Sequence, residues 1–237
     1  MSLKAVCTYT LLISLFFSCT PSQNKLTSEE TKQGWILLFD GKTTNGWHGY
    51  NKTGVPEVWI AKNGELQCVP ELRKELEVTD LVTDSAYENY ELHFEWKIGE
   101  GGNSGVFINV QEKKELLASW MTGPEYQLLE KAHVDFDKPE KKPGSLYAFT
   151  KEAAAVPEKK TGEWNQSIIK QQNGVIEFYL NGVLTAKQDL KSQNWKDAVA
   201  ATHFKAYPEF GTYTRGHIAL QDWQKPVAFR NIKLRPL

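Results

Sequence analysis

The sequence predicts an all-β protein, a sandwich or barrel of short antiparallel strands. Three observations carry this. Apolar and polar residues alternate with period two in many short runs, Asn-Gly and Asp-Gly dipeptides punctuate those runs, and no confident helical stretch appears. Aromatic residues make up 12% of the 237 positions, a content that suits strands and a sandwich core.

The elements follow in order. Strands are expected at Trp35–Phe39, Val58–Ala61, Glu65–Val69 and Asp80–Thr83, then at Tyr90–Ile98, Gly105–Gln111, Glu125–Leu129 and Ser145–Thr150. The C-terminal part adds Asn165–Gln172, Val175–Leu180, Val183–Gln188, Gly216–Asp222 and Val227–Leu234. Asp40-Gly41, Asn63-Gly64, Asn173-Gly174 and Asn181-Gly182 mark hairpin turns, because both residue types tolerate the positive φ such turns require. Lys113–Ser119 reads as a short helix, 131–144 as a charged, Pro-bearing loop, and 191–210 as a functional loop or short helix. With no linker or repeat in the body, one domain runs from Gly34 to Leu237.

The first residues read as an address. Lys4 precedes the apolar run Tyr9–Phe17, which is too short to span a bilayer, and Ser18-Cys19 follows. Residues 1–18 are therefore expected as a signal peptide of an exported protein facing the periplasm or the cell exterior. Cys19 is the candidate lipidation site, anchoring the chain in a membrane, and 19–33 is expected as a flexible tether. Cys7 leaves with the signal, so Cys68 alone remains in the domain, which leaves no internal disulfide and no Cys-based zinc site. A formal net charge of −1 argues against nucleic acid as a partner and against a polybasic membrane patch. Oligomeric state is not set by any of these features.

Candidate chemistry sits on a few strands. In Tyr90–Ile98, period two puts Glu91, His93, Glu95 and Lys97 on one face; such a face is either a solvated exterior or a ligand groove centred on Glu95. The Gly-rich turn Gly99–Gly105 delivers Asn103 and Ser104, whose amide and hydroxyl can bond sugar hydroxyls or a carbonyl oxygen, or simply cap the loop. Glu125 and Gln127 share a strand face, an acid or base beside an amide, while Glu130 and His133 lie where that strand enters a loop. Tyr147, Trp164 with Asn165, and Gln221-Asp222-Trp223 complete the set, with Trp164 and Trp223 serving as stacking platforms or as core. No Gly-x-Ser-x-Gly, His-Glu-x-x-His or EF-hand pattern occurs, which removes those chemistries.

Taken in order, Leu38-Phe-Asp-Gly-Lys42, Gly46-Trp47, Asn63-Gly-Glu-Leu66, Leu81-Val-Thr83, Tyr90-Glu-Leu92 with Glu95, Gly101–Phe107, Glu125-Tyr-Gln127, Gly162-Glu-Trp-Asn165, Asn181-Gly182, Ile218–Asp222 and Phe229-Arg-Asn-Ile232 resemble the family long labelled domain of unknown function 1080, the 3-keto-disaccharide hydrolases. Trp223 departs from it, standing where that family often has His, and the loop 130–133 differs as well. The resemblance implies a concanavalin A-like jelly-roll sandwich of two antiparallel sheets and a carbohydrate substrate carrying a 3-keto group. A C3 ketone acidifies the C2 hydrogen, so cleavage would run by C2 deprotonation, loss of the glycosidic oxygen and hydration. On that basis Glu95, Glu125, His133 and Asp222 are the catalytic candidates, and Asn103, Gln127, Tyr147, Trp164 and Gln221 the binding ones. No metal ligand is assigned, and a divalent cation stays open as an enolate stabiliser. Two rivals stand beside this reading: a direct glycoside hydrolase and a noncatalytic, lectin-like module.

Overall fold

The computed structural model describes residues 23–74, 79–157 and 159–237. The expected signal peptide 1–18, Cys7 and Cys19 lie outside the described residues.

Among the described residues, thirteen strands form two antiparallel sheets: β1 (Ile36–Leu37), β2 (Trp47–Gly49), β3 (Trp59–Lys62), β4 (Glu65–Cys68), β5 (Leu81–Thr83), β6 (Tyr90–Ile98), β7 (Asn103–Val110), β8 (Glu125–Leu129), β9 (Asn165–Gln172), β10 (Val175–Leu180), β11 (Val183–Asp189), β12 (His217–Leu220) and β13 (Val227–Pro236). The larger sheet has the order β11-β10-β9-β6-β13-β4-β3, with β1 added beside β13, and the smaller has the order β2-β5-β12-β7-β8. The sequence-based strands at Tyr90–Ile98, Glu125–Leu129, Asn165–Gln172 and Val175–Leu180 have the observed bounds.

The alternation that predicts β6 also builds the core. Tyr90, Leu92, Phe94, Trp96 and Ile98 point inward and meet Val106, Ile108, Tyr126, Leu128, Ile218 and Leu220 from the smaller sheet. At about 25 cal/mol per Å², a buried ring or branched side chain here contributes about 2 kcal/mol, and dozens act together. Polar cross-braces are satisfied inside this core. Tyr126 Oη sits 2.7 Å from Ser167 Oγ, which also accepts the indole N–H of Trp96 at 2.9 Å.

Asn63-Gly64, Asn173-Gly174 and Asn181-Gly182 all have positive φ at both residues, as tight hairpin turns demand. Four expectations are corrected. Asp40-Gly41 does not join paired strands, because Asp40 Oδ1 instead accepts from the amides of Lys42 and Thr43. Ser145–Thr150 is not a strand: Ala148 takes φ of 68° and the segment folds into turns, leaving one bridge between Leu146 and Tyr126. Lys113–Ser119 is turn rather than helix, while the aromatic stretch after Lys191 holds a true helix, α2 (Gln193–Ala200), capped by Ser192 and burying Trp195.

The fourth concerns the tether. From Gln23 on, the chain is folded onto the domain. A short helix (Ser28–Lys32) begins at a Thr27–Glu30 capping box, and Asn24 exchanges amide bonds with Asn231 at 2.7 and 2.8 Å. Asn24 also donates to the Gly64 carbonyl at 2.8 Å.

Candidate active site

The smaller sheet has a second face, turned away from the core. Phe107, Val82 and Ala219 on that face pack with Tyr50 and Leu116, and Trp120 and Met121 close over them from the segment that links β7 to β8. This cover leaves one end of the face open. There, Asp80 ahead of β5, Gln221 after β12, Gly105 and Asn103 on β7, and Gln127 and Glu125 on β8 lie on neighbouring strands. Gln221 N–H donates to Gly105 O at 2.9 Å, and Gly105 is the register partner of Gln127. A pocket of about 350 Å³ opens beside them, lined by Tyr50, Asp80, Trp120, Gln221, Asp222 and Trp223 among others.

Two carboxyl groups dominate this end. Burial pushes Glu125 well above the usual carboxylate range; Asp80 adds to the rise, and Lys141 opposes it. Burial also lifts Asp80, to about 6, while the hydrogen bond from the Asp222 amide and the Ser119 hydroxyl pull it back. Burial thus favours the protonated form of Glu125, while Asp80 ionises above about 6, an arrangement that can separate an acid from a base. Gly105 makes the placement of Glu125 possible: a Cβ there would lie 2.2 Å from Glu125 Oε1.

Amides surround the pair. Gln127 donates to Asn103 Oδ1 at 3.3 Å, and the Oε1 atoms of both Gln127 and Gln221 are buried without a protein partner. Unpaired buried acceptors are costly, so both are suited to take a hydrogen bond from a ligand hydroxyl. Tyr147 flanks this end: its amide donates to Glu125 O at 3.1 Å, and its ring stands 5.8 Å from Lys141 Nζ.

Asp222 lies one step beneath. It is fully buried and paired with Arg73, accepts from the Gln224 amide at 3.1 Å, and through its own N–H holds Asp80 Oδ1 at 3.0 Å. It therefore positions the site as an ion-paired support rather than as a free acid.

Of the sequence candidates, Asn103, Glu125, Gln127, Tyr147 and Gln221 come together. Three do not. Glu95 lies on the outer face of the larger sheet, across the core from Glu125. Arg230 Nε at 2.7 Å and Asn231 Nδ2 at 2.9 Å already satisfy its carboxylate. Trp164 is on that same side, sandwiched by Lys97 and Arg230 at 4.6 and 4.1 Å from its ring centre. His133 serves its own loop, its Nδ1 accepting from the Asp135 amide at 3.1 Å. Asp80, Lys141 and Trp120 are the residues that sequence reasoning missed. Only Asp80 carried a signal, an acid at the head of the otherwise apolar strand Leu81–Thr83.

Further along the same face, His48 bridges Asp84 at 2.7 Å and Glu112 at 2.9 Å, pinning the covering segment to β2. Among the described residues, no group of three or more His, Cys, Asp or Glu side chains is arranged to hold a metal ion.

The chain is similar to known proteins along most of its length. Residues 34–235 match the model of the 3-keto-α-glucoside-1,2-lyase-like domain. A 3-keto-disaccharide hydrolase of Bacteroides thetaiotaomicron is 32% identical over 235 residues, covering 86% of this chain and 79% of that protein. A crystal structure from Parabacteroides distasonis, provisionally described as a glycosyl hydrolase, superposes with a TM-score of 0.82 at 32% identity. It covers 91% of this chain and 100% of its own. A second from that organism, of the same description, gives 0.64 at 26% identity, with 86% and 99% covered.

Proposed function

We propose, from the premise that this chain belongs to the 3-keto-α-glucoside-1,2-lyase-like family, that it cleaves the glycosidic bond of 3-keto-glycosides with Asp80 as base and Glu125 as acid. One observation carries the assignment: two buried carboxyls at the open end of one sheet face, with Asp80 raised to about 6 and Glu125 raised well above the usual range.

The steps follow from the chemistry of the ketone. Asp80 removes the C2 proton, which the neighbouring carbonyl acidifies, and negative charge collects on the C3 oxygen. The donor N–H groups of Asn103 and Gln127 stabilise that enolate, and Lys141, held by Asp135 at 2.8 Å, adds positive charge nearby. The C1–O bond then breaks as Glu125 gives its proton to the departing oxygen. Asp80 is left protonated and Glu125 ionised. In the return half, water adds its oxygen to C1 while Glu125 takes its proton, and Asp80 delivers a proton to C2, which restores both groups. The unpaired Oε1 atoms of Gln127 and Gln221 accept from the sugar hydroxyls and fix the ring.

Glu125→Gln tests the acid directly. It keeps the shape and neutrality of the group but has no proton to transfer, so aglycone release from a 3-keto-glucoside should fall 10²- to 10⁴-fold, by roughly the range of general acid catalysis. Undiminished release would refute the role.

We also propose export and acylation at Cys19, supported by the short apolar run before Ser18-Cys19. Labelled fatty acid should enter the wild-type protein in cells, and equal labelling of Cys19→Ser would exclude it.

A further inference from the structure

The pocket beside Asp80 has two unlike ends. Its inner end carries Asp80 and Gln221; Gly105, Gln127, Asn103 and Glu125 lie outside its lining, on the strands next along the same sheet face. Its rim is apolar. Trp223 is 53% exposed and Leu117 84% exposed, and both line the pocket with Ala118 and Trp120.

Neither rim group is a loose surface residue. Trp223 directly follows Asp222, whose carboxylate is held by Arg73 and accepts the Gln224 amide, so the backbone is pinned on both sides of the indole. Gln224 takes φ of 60°, which closes the turn immediately after it. On the other side, the Leu117 amide is held by Met121 Sδ at 3.1 Å, and Asn51 grips the Leu116 carbonyl at 2.7 Å. Two apolar side chains are thus held out into water at the mouth of a catalytic pocket.

We infer that Trp223 and Leu117 form the platform on which the departing ring of the substrate lays its apolar C–H face. This rests on the reading of the pocket as the place of 3-keto-glycoside cleavage. The oxidised ring needs donors, acceptors and the acid–base pair, which start at the inner end with Asp80 and Gln221 and continue along the sheet face toward Gln127 and Glu125. The ring that departs needs none of these. An indole offers a pyranose a flat apolar surface with little ordering cost, since its backbone is already fixed.

The test compares two substrates in wild type, Trp223→Ala and Trp223→Phe: a 3-keto-disaccharide and methyl 3-keto-glucoside. Removal of the indole should lower kcat/KM about tenfold on the disaccharide, mostly through KM, and less than twofold on the methyl glycoside. Trp223→Phe should recover most of the loss. An active wild type whose Trp223→Ala variant loses equally on both substrates overturns the platform alone. A folded wild type inactive on both overturns the reading of the pocket, and the platform with it.

Discussion

Gly105→Ala tests the site at a point where catalysis and folding can be separated. Gly105 lies within β7, and its φ is outside the positive region, so alanine fits the backbone. Its Cβ would meet three atoms of one side chain: Glu125 Oε1 at 2.2 Å, Cδ at 2.8 Å and Cγ at 2.9 Å. Ordinary contact begins at 3.4 Å, so the oxygen must retreat by 3.4 − 2.2, about 1.2 Å. No backbone atom is among those three, so the Glu125 side chain, from Cγ outward, is the first group that must give way. A reacting group displaced by about 1 Å costs about 10²-fold in rate. Stability should change little, because alanine in a strand gains roughly 0.5–1 kcal/mol over glycine in chain entropy, which offsets part of the crowding. The assay is kcat and KM for a 3-keto-glucoside, with calorimetry alongside. We expect kcat down about 10²-fold and a Tm within a few degrees of wild type. A double variant with Glu125→Gln should be no slower than Glu125→Gln alone, since both act on one group. A folded Gly105→Ala protein that keeps more than about a fifth of its kcat would refute the reasoning, as would a collapse in Tm, because crowding would then fall on the sheet.

Two more predictions rest on charge. Asp80 has its carboxyl raised from 3.8 to about 6, so between those values the folded state binds more protons than the unfolded one. Stability is therefore lost as pH rises from about 4 through about 6, and Asp80→Asn should remove that slope and be more stable at pH 7.5 by about 2–3 kcal/mol. Wild-type kcat/KM is expected to rise through about pH 6 as Asp80 ionises, and Asp80→Asn should lose both that rise and most of the activity, which a pH–rate profile reads directly. Glu95→Gln, by contrast, should leave kcat/KM within about twofold and cost no more than about 1 kcal/mol in urea unfolding, since it weakens only a part-exposed pair with Arg230. A large loss of activity would restore Glu95 to the mechanism.

The fold was largely legible because its strands are long enough to show their period. Tyr90–Ile98 alternates nine residues in and out of the core, and its bounds are recoverable from that alone. β2 has three residues, Trp47–Gly49, too few to display any period, and no strand was expected there. The candidate site was legible on β7 and β8, where Asn103, Glu125 and Gln127 fall within one short stretch of chain. Glu95 was misjudged for a physical reason. Alternation tells which residues share a face, but the partners that neutralise that face, Arg230, Asn231 and Arg235, lie more than a hundred residues away in the chain. Asp80 was passed over because one acid before three apolar residues looks like a strand end. Its value comes from Asp222 and Gln221, which only the sheet brings beside it.

The docking of Asn24 has a consequence for how the molecule would sit on a bilayer. Asn231 points out from the larger sheet, where it also bonds Glu95, so the incoming chain is berthed on the back of the sandwich. Between Cys19 and Gln23 there are only four peptide steps, a leash of at most about 14 Å. If Cys19 is acylated as proposed, its acyl chains would moor the back of the molecule against the lipid headgroups. The carboxyl pair on the far sheet would look outward, toward arriving sugars.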